Sequence, residues 1–143
     1  MAVPFVACML AAASFYHLPP RVLPSLQAVE GGWVGAVSRN RNGSSDLGVM
    51  QVNTLWVPRI AAIARMSNDA VRQRLIDDPC FNIAAAGAIM RIYLNERGGD
   101  LLRAVGDYHS HTPARASAYQ AKVLTAATRL FVQPPSVVAV NRR

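Results

Sequence analysis

The chain has 143 residues, 52% of them hydrophobic, enough for one domain with its own core. Fourteen Arg and a single Lys, Lys122, set against eight carboxylates give a formal charge of +7, which suits an anionic partner such as nucleic acid, a membrane surface or an acidic polymer. The basic residues stand in ones and twos (Arg39/Arg41, Arg72/Arg74, Arg142/Arg143) with no run of five, so a nucleic-acid partner has only the net charge behind it and is not expected.

In chain order the sequence reads as mostly helix. Met1 to His17 is apolar, and Phe5-Val6-Ala7-Cys8 faintly resembles a lipoprotein cleavage site, but no Lys or Arg precedes Arg21. The positive leader of a signal peptide is therefore missing, and Val6–His17 is expected to be the first helix of the domain. Export would need a leader outside this sequence. A second helix is expected over Pro20–Glu30, with its prolines confined to the start, where a missing N–H costs little, and Gly31-Gly32 at its end.

Asn40, Asn42, Gly43, Ser44 and Ser45 then form a turn-rich stretch between two short β-like runs, Ala36–Ser38 and Val49–Asn53, which predicts a small hairpin lobe. Helix is expected again over Thr54–Met66 and over Asn68–Ile76, the latter capped by Ser67 with Asp69 near its start. Asp78-Pro79 marks a break. Cys80–Glu96, rich in Ala with Gly87 inside it, is the expected central buried helix. Asp100–Tyr108 and Ala114–Phe131 complete the domain, residues 1–132, and 133–143 with Pro134-Pro135 is expected to be a loose tail. No stretch reaches the roughly 20 apolar residues that span a bilayer, so stable membrane insertion is not expected.

Only two of the carboxylates are Glu. Glu96 stands beside Arg97 and Gly98 at a helix end, where a solvated role explains it. Glu30 follows an apolar helix (Val22, Leu23, Leu26, Val29) and precedes Gly31-Gly32-Trp33. Partial burial, the carbonyl end of a helix dipole and the apolar surface of Trp33 would each push its pKa upward. A carboxyl kept protonated near neutrality is what glycosidic bond cleavage requires. A solvent-pointing Glu at a helix end is the alternative that Glu30 alone leaves open. Cys8 and Cys80 likewise leave both a disulfide and a pair of free buried thiols open.

The segment from Asn42 to Trp56 supplies context for Glu30. It runs Asn42-Gly43-Ser44-Ser45-Asp46-Leu47-Gly48-Val49-Met50-Gln51-Val52-Asn53-Thr54-Leu55-Trp56. Its Gln and Asn side chains suit sugar hydroxyls and N-acetyl groups, and Trp56 offers a ring for a pyranose face. With Glu30, with Asp78-Pro79-Cys80 and Asn82-Ile83, and with Tyr108, this segment resembles the lysozyme-like lytic transglycosylases. The likeness is to the small group that opens the wall for type III and type IV secretion or conjugation machines, and it covers roughly Cys8 to Val123.

The resemblance implies a mainly α, α+β lysozyme-like fold: a helical domain with a small β-hairpin lobe forming a glycan cleft. It implies Glu30 as the single catalytic acid/base, Met50, Gln51 and Asn53 lining the cleft, and Tyr108 packed near Glu30. It further implies a Cys8–Cys80 disulfide, peptidoglycan glycan strands as substrate, components of a secretion or conjugation system as partners, a periplasmic location and no cofactor. Two positions depart from the group's pattern. The usual Ser after the catalytic Glu is Gly31, and the common Tyr-Asn-Ala-Gly motif is replaced by Tyr108-His109-Ser110-His111-Thr112-Pro113. His109 and His111 alternate in a loop with no third ligand evident, so a surface or hydrogen-bonding role is expected of them and a metal is not.

Two further readings stay open. Asp46 also stands where animal-type lysozymes carry a second carboxylate, and two carboxyls roughly 5 to 9.5 Å apart would support hydrolysis. With Gly31 in place of the usual Ser, a non-catalytic glycan-binding scaffold is the other.

Overall fold

The computed structural model describes residues 2–132; the tail expected at 133–143 lies outside the described residues. The chain forms α1 (Val6–Phe15), α2 (Val22–Glu30), β1 (Val37–Arg39), β2 (Ser45–Leu47), β3 (Val52–Asn53), a 3-10 turn over Thr54–Trp56, α3 (Val57–Ala64), α4 (Asn68–Asp77), α5 (Pro79–Glu96), α6 (Leu101–His109) and α7 (Pro113–Phe131). The fold is mainly α with one small antiparallel sheet, as the sequence reading expects. Among the described residues no helix is long and apolar enough to cross a membrane.

The differences from expectation have local causes. The first helix stops at Phe15 because His17 turns left-handed (φ 52°), with Leu18 N–H donating to Ala13 C=O and His17 N–H to Ser14 C=O. That pairing satisfies two orphan carbonyls of the last turn. The expected hairpin is a three-stranded meander in the order β1-β2-β3, because Ser45–Leu47, read as turn and connector, pairs on both sides. Asp46 at its centre stands opposite Ser38 on one side and Asn53 on the other. The helix expected at Thr54 begins as a 3-10 turn, where the Asn53 side chain accepts from Leu55 N–H, and turns α-helical only from Val57, with Pro58 in the first turn.

α5 is the spine. Its Ile83, Ala86, Ile89 and Met90 are buried against Met9, Ala12 and Ala13 of α1 and against the neighbouring helices. Gly87 allows a close approach: a Cβ there would lie 2.8 Å from the Tyr16 ring. Cys8 and Cys80 form a disulfide, Cα atoms 5.3 Å apart and 72 residues apart in sequence, tying α1 to the first turn of α5. Closing a loop of that length removes entropy from the unfolded chain. Replacing both cysteines by Ser is expected to lower the unfolding free energy by about 2–4 kcal/mol, read as a lower urea midpoint. A midpoint unchanged from the native chain would mean the bridge has no such weight.

One buried side chain ties the sheet lobe to the helices at three backbone groups. Asn82 on α5 donates through Nδ2 to Leu47 C=O (2.7 Å) and Leu75 C=O (2.8 Å), and its Oδ1 accepts from Met50 N–H (2.8 Å). Gly48 lies against this amide with φ +68°; a Cβ there would come within 2.2 Å of Leu75 O and 2.5 Å of Asn82 Nδ2. Gly35 N–H adds a bond to Ile76 C=O at the end of α4.

Candidate active site

Between the sheet lobe and the helices runs a cleft of about 520 Å³, whose lining includes Glu30, Asp46, Gln51, Asn53, Trp56, Tyr93, Tyr108 and His109. Glu30 is the last residue of α2, and Gly31 ends the helix immediately after it in the left-handed conformation (φ 64°), its N–H donating to Gln27 C=O. The helix terminus therefore delivers the carboxyl to the cleft.

The Tyr119 hydroxyl of α7 donates to Glu30 Oε1 at 2.8 Å. Among the described residues Oε2 has no hydrogen-bond partner, which leaves it to face a ligand. Burial pushes the Glu30 carboxyl from 4.5 up to about 7; the Tyr119 hydrogen bond pulls it down, and the charge of Asp46 adds an upward push. The expected contribution of Trp33 is corrected: its side chain is 65% exposed and is not part of the cleft lining, so the burial of Glu30 comes from other surfaces.

Asp46 on β2 is held between two amides. Asn53 Nδ2 donates to its Oδ1 (3.0 Å) and Asn40 Nδ2 to its Oδ2 (3.2 Å). Both amides also donate to Ser44 Oγ, which in turn donates to Asn42 Oδ1. The polar turn residues are thus consumed by each other, and they make one edge of the cleft rigid. Gln51 sits at the cleft with a left-handed backbone (φ 53°), and its Nε2 donates to Gly48 C=O.

Met50 is a second correction. Its side chain is fully buried in the core and does not line the cleft; only its carbonyl reaches the site, accepting from the Tyr108 hydroxyl at 2.8 Å. Leu47 to Met50 are buried in succession through the turn before β3, and Gln51, half-buried, is the first residue after them to line the cleft. Burial first, and then the charges of Glu30 and Asp46, hold the Tyr108 phenol well above its usual range, so it remains a donor.

Trp56 and Tyr93 meet edge to face (centroids 5.8 Å apart) and His111 meets Tyr93 similarly (5.3 Å), with Arg59 over the Trp56 ring. This aromatic wall suits the faces of sugar rings. Asp107 is paired through both oxygens with Arg97, with His111 3.9 Å away. Among the described residues no cluster of three or more His, Cys, Asp or Glu is placed to hold a metal.

Sequence reasoning missed Tyr119. It falls on the buried face of α7 with Val123 and Ala126, a helical spacing that reads as core. Its one signal was chemical: a buried phenol needs an acceptor, and the chain has few carboxylates to supply one.

Residues 7–127 match the family described as "Transglycosylase SLT domain". The chain is 29% identical to the Invasion protein IagB of Salmonella typhimurium over 115 residues, 77% of this chain and 66% of that protein, and equally to IagB of Salmonella typhi. It is 28% identical to Protein IpgF of Shigella flexneri over 106 residues, 73% of this chain and 66% of that protein. The chain therefore spans just under two thirds of the length of these relatives.

Proposed function

The chain belongs to the transglycosylase SLT domain family, lysozyme-like lytic transglycosylases of peptidoglycan, and from that premise we propose that it cleaves the β-1,4 bond between N-acetylmuramic acid and N-acetylglucosamine with Glu30 as acid and base. The observation that carries this reading is the Glu30 carboxyl itself, delivered to the cleft by the end of α2, held there by Tyr119, with burial pushing it up to about 7.

In this mechanism Glu30 gives its proton to the bridging oxygen as the bond from that oxygen to the muramoyl C1 breaks. The resulting carboxylate then takes the proton of the muramoyl C6 hydroxyl, whose oxygen attacks C1 and closes a 1,6-anhydro ring. The attack is intramolecular, so its effective concentration is high and no second carboxylate is needed. One titrating carboxyl serves both steps and ends as it began.

Hydrolysis is the competing reading, and the proximity of the Asp46 charge to Glu30 favours it. Against it, both Asp46 oxygens accept from the amides of Asn40 and Asn53, which suits a structural anchor. Mass spectrometry of fragments released from purified sacculi decides between them. Anhydro-muramyl ends are expected, and they are expected to persist in Asp46→Asn at reduced yield. Reducing ends alone would make the chain a muramidase, and binding without release would make it a scaffold.

Further out, we read the enzyme as periplasmic and as opening the wall locally for a secretion or conjugation apparatus. The Cys8–Cys80 disulfide supports an oxidising compartment. The similarity to a protein named for invasion supports the second part.

A further inference from the structure

The departure at His109 has a geometric counterpart in the site. The His109 ring lies parallel to that of Tyr119, planes 8° apart and centroids 4.9 Å apart. His109 lines the cleft and is exposed on its outer side, whereas Tyr119 is only 4% exposed and does not line the cleft. The imidazole therefore covers the tyrosine ring on the side where that ring would otherwise meet solvent. The other end of the same ring is committed to Glu30, 2.8 Å from hydroxyl to Oε1. The commoner motif of the group has Asn at this place, which carries no ring.

We infer that His109 is a positioning residue, whose imidazole, stacked on Tyr119, holds the phenol hydroxyl on Glu30 and so sets the orientation of the acid. The inference rests on the reading of Glu30 as the acid. It is specific to stacking: His109 also ends α6, where a basic residue is favoured by the helix dipole, and that role alone would not act on Glu30.

Three groups face Glu30 from the elements around it: Tyr119 from α7, Tyr108 from α6 and Asp46 from β2. Tyr119 donates to the carboxylate and favours its charged form, whereas Asp46 disfavours it. Freeing the tyrosine ring therefore moves the Glu30 midpoint upward. A stacked aromatic pair changes an equilibrium roughly 2- to 10-fold, so the largest movement expected is about one pH unit.

The test is an NMR titration of the Glu30 side-chain carboxyl in the intact chain, which needs no substrate, run beside the pH profile of sacculus lysis. In His109→Ala the midpoint and the alkaline limb of lysis are both expected to rise together by about 0.4 to 1 unit. His109→Phe, which keeps a ring, is expected to retain the native midpoint. Tyr119→Phe gives the full movement, and adding His109→Ala to it gives no more.

A native midpoint in His109→Ala overturns the inference. So does a His109→Phe variant that behaves like His109→Ala, or a further shift in the double variant. His109→Ser serves as the second ring-free variant should His109→Ala fold poorly. Lysis that survives Glu30→Gln would instead sink the reading of Glu30 as acid, whatever the titration shows.

Discussion

Replacing Glu30 by Gln is expected to cut lysis of sacculi by a factor of at least about 10² to 10⁴, the usual weight of a general acid, and at the same time to make the folded chain more stable above pH 7. The amide keeps the shape of the carboxyl and can still accept from Tyr119, but it cannot deliver a proton. The stability gain follows from the raised titration of Glu30, from 4.5 to about 7. Below about pH 4.5 the carboxyl is protonated whether the chain is folded or not, and burial costs nothing extra. As the pH rises through 4.5 toward 7, the unfolded chain gives up its proton while the folded chain retains it, and folding becomes less favourable. Above 7 the penalty is complete, on the order of 3 kcal/mol for a rise from 4.5 to about 7.

Thermal melts of the native chain and Glu30→Gln are therefore expected to coincide near pH 4.5 and to separate by pH 8, with the variant higher. Equal melting temperatures at pH 8 would mean that Glu30 ionises freely. The alkaline limb of native lysis is expected near pH 7 for the same reason.

The second large effect is expected at Asn82. Asn82→Leu keeps the branching and the number of side-chain heavy atoms, but it leaves Leu47 C=O, Leu75 C=O and Met50 N–H without the partners they have in the native chain. Each orphaned buried group costs about 1–3 kcal/mol, so a loss of about 4 kcal/mol or more is expected in urea unfolding. Hydrogen exchange at the Met50 amide is expected to rise more than at the middle of α5, because the amide side chain fixes the lobe and not the spine. A loss below about 1 kcal/mol would show that water replaces the lost bonds. Lysis is expected to fall as well, since the same lobe carries Asp46, Gln51 and Asn53 to the cleft.

Much of the fold was legible in the sequence because its helices are bounded by strong local signals. Ser67, Asp78 and Asp100 each accept from a backbone N–H at a helix start, and prolines stand at N1 or N2 of α5 and α7. The lobe was harder. Ser45 and Asp46 have poor strand propensity, and they pair only because Asn40, Asn53 and Thr54 hold them from both sides. Such a network is long-range and leaves no period to count. Met50 was misassigned for a related reason: a motif marks which residues belong to a site, but not which of them turn inward. Tyr119 was missed because core packing and the hydrogen bond to Glu30 draw on the same face of α7.

The Cys8–Cys80 bridge encloses Glu30 and the entire sheet lobe within one covalent ring, while Tyr108, His109 and Tyr119 all lie on the open arm beyond it. Glu30 and the phenol that donates to it are thus supplied by two topologically separate parts of the chain. A polypeptide made from its N-terminus can oxidise its ring and pair its strands while Glu30 still lacks the phenol that completes it. On the reading proposed above, wall-cutting competence would then arrive last, when the final helix docks.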